Sequence, residues 1–295
     1  MRVEGPAKPG LRMECADGRR LVLMQGDAPV LFARQRATHY GLHYARTGRY
    51  ASPLAPLRAE RARAVAEFAE PGSAEWWKRW AAHAEAELRG AAEGPLHAGD
   101  WLLLPDVHRW FKAVNWPTLL AHDPDRGHLT WFGYGDPVED ARDLLPLRAL
   151  SAPEAPRVKA YRRQYREGVL PPVFAWWISG LHSPVVLDGH DRVTAALAEG
   201  GRPKVLILSR AVVDDTWVAR LSARPVEEYQ KRVAALEGPL AASRIANLSR
   251  SLAADLTAII GGYDRTLAWP FPGGAGAWDA AAASYVPGWA PDVDR

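Results

Sequence analysis

The stretch richest in chemically active side chains is SPVVLDGHDRVTAAL, at residues 183–197. Its first half, SPVVL, is typical of a buried strand, and the part from Arg192 onwards predicts a helix. The join between them is DGHDR, residues 188–192, in which a glycine lies among four polar or titratable residues. Such polar residues add little to a hydrophobic core, so the first question is what chemistry these side chains could perform.

A join of this composition is suited to bind phosphate. The first N–H groups of a helix have no partner within the helix, and the helix dipole concentrates positive charge there. Gly189 lets the backbone turn sharply and approach a bound group, while His190 and Arg192 add hydrogen-bond donors. The carboxylate of Asp188 acts in the opposite sense, because it repels phosphate unless a magnesium ion or a substrate donor lies between them.

The same residues also have a simpler interpretation. Asp188 can be a helix N-cap, with His190 and Arg192 as solvated residues of the first turn, and such caps are common. The order strand, D-G-H-x-R, helix is more specific than a lone glycine motif and less specific than a complete Walker sequence.

The elements predicted around this join alternate between strand and helix. Strands are expected at 145–150 (LPLRAL) and 171–178 (PPVFAWWI), with a basic helix at 156–167 between them. KVLILS, at 204–209, predicts a further strand after the helix of the join. This alternation is typical of an α/β arrangement.

The rest of the chain predicts several further parts. Three short apolar runs between Leu11 and Ala33 predict an antiparallel meander, and Ser73 predicts the N-cap of a tryptophan-rich helix that ends at Gly90. Two amphipathic helices are expected within 225–260. The predicted division is an N-terminal α+β region at 1–140, an α/β domain at 141–215, a helical extension at 216–268 and a Pro/Gly/Ala-rich tail without regular structure at 269–295.

Composition limits the partners and the compartment. The 37 basic and 34 acidic residues give a formal charge of +3, so DNA is an alternative partner that the charge does not indicate. The single cysteine, Cys15, has no partner for an internal disulfide, which favours a reducing compartment. The sequence contains neither the apolar core of a signal peptide nor a membrane-spanning run. We therefore expect a bacterial cytoplasmic protein with no membrane contact.

Residues 144–210 resemble a known family on these motifs. The order LLPLRAL, SAPEAP, a helix ending at Gly168, LPPVFAWWI and SPVVLDGHDR is similar to that of the ParB and sulfiredoxin-like superfamily. The similarity is nearest to its branch of ADP-dependent free serine kinases, which carries D-G-H-H-R. The resemblance implies an α+β fold class, with a ParB/sulfiredoxin-like α/β core between an N-terminal α+β region and a helical C-terminal region.

The resemblance also implies a nucleotide site. Gly189, His190 and Arg192 would hold the phosphates of ATP or ADP at the helix N-terminus, and Thr194 would belong to the same site. Asp188 would contact Mg²⁺ or the acceptor hydroxyl. The implied activity is phosphoryl transfer from a nucleotide to a small hydroxyl compound, as in a small-molecule kinase.

The resemblance implies two further catalytic residues. At two positions, however, this sequence differs from the motif of the kinase branch, and these differences leave other functions open. Glu154, in the loop after the first strand, would be the general base, and His190 would take part in catalysis beside Asp188. The histidine that precedes the glutamate in the kinase branch is Pro153 here, and the second histidine of D-G-H-H-R is Asp191. The alternatives are a ParB-like nucleotide-binding regulator or DNA-associated protein without catalysis, and a phosphodiester hydrolase (nuclease).

Overall fold

Two six-stranded sheets and seven helices make up the described part of the computed structural model, which is of mixed α+β class. It describes residues 1–35, 41–105, 123, 125–130, 144–181, 183–211, 215–238, 241–261 and 265–288. These residues form two units, one of Met1–Arg210 with Thr266–Arg295 and one of Ala211–Arg265. Within the described ranges no helix is both long and apolar enough to cross a membrane.

The strands and helices have the following bounds in chain order. The strands are β1 (Arg2–Val3), β2 (Leu11–Cys15), β3 (Arg20–Gln25), β4 (Ala28–Gln35), β5 (Gly41–Arg46), β6 (Gly99–Pro105), β7 (Arg126–Thr130), β8 (Leu145–Pro146), β9 (Val173–Ile178), β10 (Ser183–Asp188), β11 (Val205–Arg210) and β12 (Ala268–Pro270). The helices are α1 (Ala59–Phe68), α2 (Ala74–Gly90), α3 (Pro156–Arg166), α4 (His190–Ala198), α5 (Asp215–Ala234), α6 (Ala241–Gly261) and α7 (Gly274–Tyr285).

The first sheet, in the order β1–β6–β11–β9–β10–β8, carries the DGHDR join at the end of β10. Strand β8 runs parallel to β10, so the carboxyl ends of the two strands lie at one edge of the sheet. The strand expected at 145–150 is only two residues long. It ends early because the N–H groups of Leu147 and Arg148 turn to the His190 side chain instead of a neighbouring strand.

The second sheet contains the predicted meander. Its order is β12–β2–β3–β4–β5–β7, and β2, β3 and β4 pair antiparallel as the turn signals between Leu11 and Ala33 predict. Only the pair of β12 with β2 is parallel among the pairs of this sheet that the structure describes.

The main core lies where side chains of both sheets meet those of α1 and α2. Alternation along β9 predicts opposite sides for Trp176 and Trp177, and this is confirmed. Trp176 is buried in the main core, whereas Trp177 packs against a second cluster on the other face, which includes Val193 of α4. Helix α3 in turn packs on α4 through Val158 and Ala195. The first sheet is therefore covered on both faces.

Helix α2 has the cap and the apolar face that the sequence predicts. The Ser73 hydroxyl accepts a hydrogen bond from the Trp76 N–H at 3.2 Å, and the helix ends at Gly90. Trp76 and Trp80, one turn apart, are buried in the main core. The tryptophans thus fix this helix against the first sheet.

The prediction that residues 269–295 lack regular structure is wrong for the part up to 288. The segment forms β12 and α7, while residues 289–295 lie outside the described ranges. Trp278 of α7 is buried against Phe32, with the two ring centroids 5.4 Å apart, and donates its Nε1–H to the Leu21 carbonyl at 3.1 Å. Burial of this one large ring stabilises a helix that its glycine- and alanine-rich sequence does not indicate.

The second unit is a pair of helices, α5 and α6, as the amphipathic pattern predicts. Helix α5 continues through Pro225, whose ring is tolerated inside the helix. The hydroxyl groups of Tyr229 and Ser249 join the two helices by a hydrogen bond of 2.9 Å.

Candidate functional site

The join turns at Gly189, which is the N-cap of α4 with φ 105° and ψ 21°. A side chain is rarely found in this left-handed conformation, and a Cβ atom here would lie 2.8 Å from Nη2 of Arg192. The helix begins at His190, two residues earlier than predicted. Glycine is required both by the backbone turn and by the guanidinium group that lies against it.

Arg192 is buried under this turn, with its side chain only 1% exposed. Its Nη2 donates to Oδ2 of Asp188 at 2.7 Å, and its guanidinium carbon lies 5.6 Å from the ring centroid of Phe174. Its Nε is buried without a hydrogen-bond partner among the described residues. Asp188 therefore fixes Arg192 in place, and one donor of the guanidinium is left unsatisfied.

His190 and Thr194 point into the protein. Nε2 of His190 accepts hydrogen bonds from the backbone N–H groups of Leu147 at 3.1 Å and Arg148 at 3.4 Å. Burial, followed by the positive charges of nearby arginines, lowers the pKa of His190 well below its ordinary value. The buried Thr194 hydroxyl donates to the His190 carbonyl at 3.4 Å. His190 thus fastens the join to the loop after β8, and Thr194 bonds back to the first turn of its own helix.

Asp191, in the first turn of α4, forms ion pairs with two arginine side chains. Its Oδ1 accepts the Ser151 hydroxyl at 2.7 Å, and its Oδ2 lies 3.4 Å from Nη2 of Arg148 and 3.5 Å from Nε of Arg157. Asp191 is buried, whereas the side chains of Arg148 and Arg157 are 45% and 53% exposed. Two guanidinium groups share one carboxylate, so positive charge is in excess at a helix N-terminus.

Glu154 lies on the surface. Its side chain is 71% exposed, with Oε1 3.1 Å from Nη1 of Arg162 and Oε2 3.3 Å from Nζ of Lys159. The hydrogen bond from Lys159, with the charges of Lys159 and Arg162, lowers the pKa of Glu154. A carboxylate with a lowered pKa is a weaker proton acceptor. The loop after β8 does meet the join, but it does so through residues 147–151.

His83 of α2 is a residue near the join that sequence reasoning missed. Its ring centroid lies 6.3 Å from that of Phe174, the β9 residue paired in register with Asp188. Burial lowers the pKa of His83, the charge of Glu87 opposes this, and the charges of Arg61 and Arg192 add to the lowering, so the surroundings favour the neutral ring. His83 lies seven residues after Trp76, so the helical spacing places it on the side of α2 that faces the sheet, but no sequence signal places it near Asp188.

Tyr50 is a second residue near the join that the sequence did not single out. Its hydroxyl donates to the Leu187 carbonyl at 2.6 Å, and its ring centroid lies 6.0 Å from that of His190. Burial, and then the negative charge of Asp188, raise the pKa of Tyr50 well above its ordinary value. Tyr50 therefore stays protonated and supports the end of β10.

Asp188 is the residue that the resemblance places next to Mg²⁺ or the acceptor hydroxyl. Across the described ranges, no three His, Cys, Asp or Glu side chains gather closely enough to hold a metal ion by themselves. Magnesium usually takes one or two protein carboxylates and completes its shell with phosphate oxygens and water. The carboxylate of Asp188 is 14% exposed, and its Oδ2 is bonded to Arg192, so one oxygen is left that fits this kind of site together with a nucleotide; the join does not fit an all-protein metal site.

Comparison with known proteins found no match: no protein-family model, no curated protein and no solved structure matches this chain. The similarity of residues 144–210 to the ParB and sulfiredoxin-like superfamily therefore stays a prediction from the motif. The function has to be argued from the side chains that meet at the join.

Proposed function

We propose that this chain binds the phosphate groups of ATP or ADP, with Mg²⁺, at the N-terminus of α4 and transfers a phosphoryl group to a small hydroxyl compound. The observation that carries the proposal is the pair of half-exposed arginines, Arg148 and Arg157, which share the buried carboxylate of Asp191. Their ion pairs are long, so either guanidinium can turn to a phosphate at little cost. The helix dipole adds to this attraction.

The other groups of the join would complete the nucleotide site. The absence of a side chain at Gly189 lets the Arg192 guanidinium lie directly under the turn, where its buried Nε has no hydrogen-bond partner among the described residues and its positive charge would add to that of the helix N-terminus. Asp188 would hold Mg²⁺, which when bound neutralises charge on the phosphate oxygens. In this proposal His190 and Thr194 support the site by positioning the join, and they do not contact the nucleotide.

Phosphoryl transfer also needs a group that takes the proton of the acceptor hydroxyl, and we assign it to His83 in preference to Glu154. The His83 ring contacts Phe174, which is paired in register with Asp188. An imidazole is ordinarily a stronger base than a carboxylate such as that of Glu154. The acceptor oxygen would bond to the terminal phosphorus while its proton moves to a ring nitrogen of His83. The bond from that phosphorus to the bridging oxygen would break, and the shortened nucleotide would leave with the bond's electron pair.

Calorimetry with ADP and Mg²⁺ tests the binding step. Arg157→Ala and Arg148→Ala should each weaken binding by about 10- to 150-fold, the effect of one lost charge-assisted hydrogen bond. Arg163→Ala is the matched control, because Arg163 lies on the same helix as Arg157 and pairs with Glu167 instead. Its affinity should stay within about twofold of the wild type. Equal affinities in all four proteins would refute the proposed site.

The transfer step is tested with γ-³²P-ATP and with β-³²P-ADP, each labelled in its terminal phosphate, and a panel of small hydroxyl compounds. His83→Gln should lower turnover by about 10²-fold or more with unchanged nucleotide affinity, whereas Glu154→Gln should keep turnover within about threefold. The reverse result would restore Glu154 as the base. Nucleotide binding without transfer would favour the regulator, and cleavage of DNA or RNA would favour the phosphodiester hydrolase.

A further inference from the structure

A groove of about 220 Å³ lies between α1 and α2. Its floor is apolar, and one wall is Phe68, whose side chain is left 68% exposed. The guanidinium carbon of Arg79 lies 5.4 Å from the Phe68 ring centroid. The residues that line the groove are Arg61, Ala64, Val65, Phe68, Arg79 and Ala82.

The groove adjoins the proposed nucleotide site through α2. Residues four apart lie on the same helix face one turn apart, so Arg79 and His83 share a face, and Ala82 lies between them in the groove. His83 also contacts Phe174, next to Asp188. His83 itself does not line the groove, so a ligand held by the arginines would reach its ring only by extending past Ala82.

Size and charge define what the groove would accept. A volume of about 220 Å³ is below the usual range of drug-sized ligand sites, so the occupant is a small molecule and not a nucleotide. Two guanidinium groups line the groove, and no acidic side chain of the described residues does. Glu75 pairs with Arg79 at 2.8 Å from outside the groove, and this ion pair is exposed and weak. An anionic ligand with an apolar body complements such walls.

We infer that this groove binds a small hydroxy acid, with its carboxylate between Arg61 and Arg79, its apolar part on Phe68 and its hydroxyl next to His83. The acid would be the phosphoryl acceptor, and in this respect the inference rests on the proposed function. Binding of the acid by itself depends only on the groove. The oxygen that takes the phosphoryl group would be the one whose proton moves to His83.

The test is calorimetric titration of the full chain with 3-phenyllactate, which carries a carboxylate, a hydroxyl and an aromatic ring, in the absence of nucleotide. The neutral amide of the same compound is the matched ligand, and Arg63→Met is the matched protein control. Arg63 lies on α1 but faces Glu167 at 3.8 Å instead of the groove. The acid should bind at least about tenfold more tightly than the amide, and Arg61→Met or Arg79→Met should remove this preference.

Two results would overturn the inference. One is equal binding, or no binding, of the acid and the amide to the wild-type chain; the other is a preference for the acid that survives both Arg61→Met and Arg79→Met. The outcomes are independent of the nucleotide titration. Nucleotide binding without phenyllactate binding would refute only the proposed hydroxy-acid site in the groove. Phenyllactate binding without nucleotide binding would refute only the proposal of phosphoryl transfer.

Discussion

The buried, neutral state of His190 makes stability depend on pH in a way that can be calculated. The pKa of His190 is well below 6.5 in the folded chain, because the ring is buried near arginines and accepts backbone N–H groups at Nε2. In the unfolded chain it returns to about 6.5. Below about pH 6.5 the unfolded chain therefore binds a proton at His190 that the folded chain does not bind. The free energy of unfolding is highest above the unfolded pKa and decreases as the pH falls below that value.

One such histidine lowers the free energy of unfolding by about 1.4 kcal/mol between pH 7.5 and pH 5.5. Urea unfolding at both values measures this loss in the wild type and in His190→Gln, whose amide oxygen is able to accept the same N–H groups but does not titrate. The wild type should lose about 1.4 kcal/mol more than the variant. The burial-lowered pKa values of His83 and His97 contribute equally to both proteins and cancel. An identical pH dependence in the two proteins would refute a neutral, buried His190.

Further predictions concern the join and the C-terminal helix. Gly189→Ala should lower the free energy of unfolding by about 1–3 kcal/mol or more, because alanine strains the left-handed turn and meets Arg192; unchanged urea stability would contradict this. Arg192→Met should lower the free energy of unfolding by about 3–5 kcal/mol, because it leaves the Asp188 carboxylate unpaired. Adding Asp188→Asn to this variant should restore part of that loss, and strictly additive effects of the two substitutions would show that the residues are not coupled. Trp278→Ala should cost about 3–5 kcal/mol and expose α7 to proteases, and wild-type resistance would show that the ring does not hold the helix.

Local pattern was enough to predict the elements that carry the join. Ser73 caps α2, Trp176 and Trp177 face opposite sides of the first sheet, and the strand–turn–helix sequence at 183–197 folds as expected. Each of these features depends on residues within one or two helical turns or one strand. The parallel pairing of β8 with β10, which brings the loop after β8 to the join, is a feature that the local pattern did not predict.

Side-chain partners far apart in the sequence could not be predicted in this way. The DGHDR pattern does not reveal that His190 and Asp191 turn to the loop at 147–151, since their partners are about 40 residues away. His83 lies more than 100 residues before Asp188, and only the packing of α2 on the first sheet brings the two together. Trp278 packs on β3 and β4 from the other end of the chain. Tertiary contacts outweigh local propensity at each of these residues.

The position of ADP in a crystal structure of its complex with the chain and Mg²⁺ tests the central claim most directly. The account predicts that the phosphate oxygens lie within about 3.2 Å of a guanidinium nitrogen of Arg148 or Arg157 and next to the first N–H groups of α4. It also predicts the Mg²⁺ ion within about 2.1 Å of a carboxylate oxygen of Asp188, or one water molecule away from it. ADP bound elsewhere on the chain, or bound here with its phosphates directed away from α4, would contradict the account.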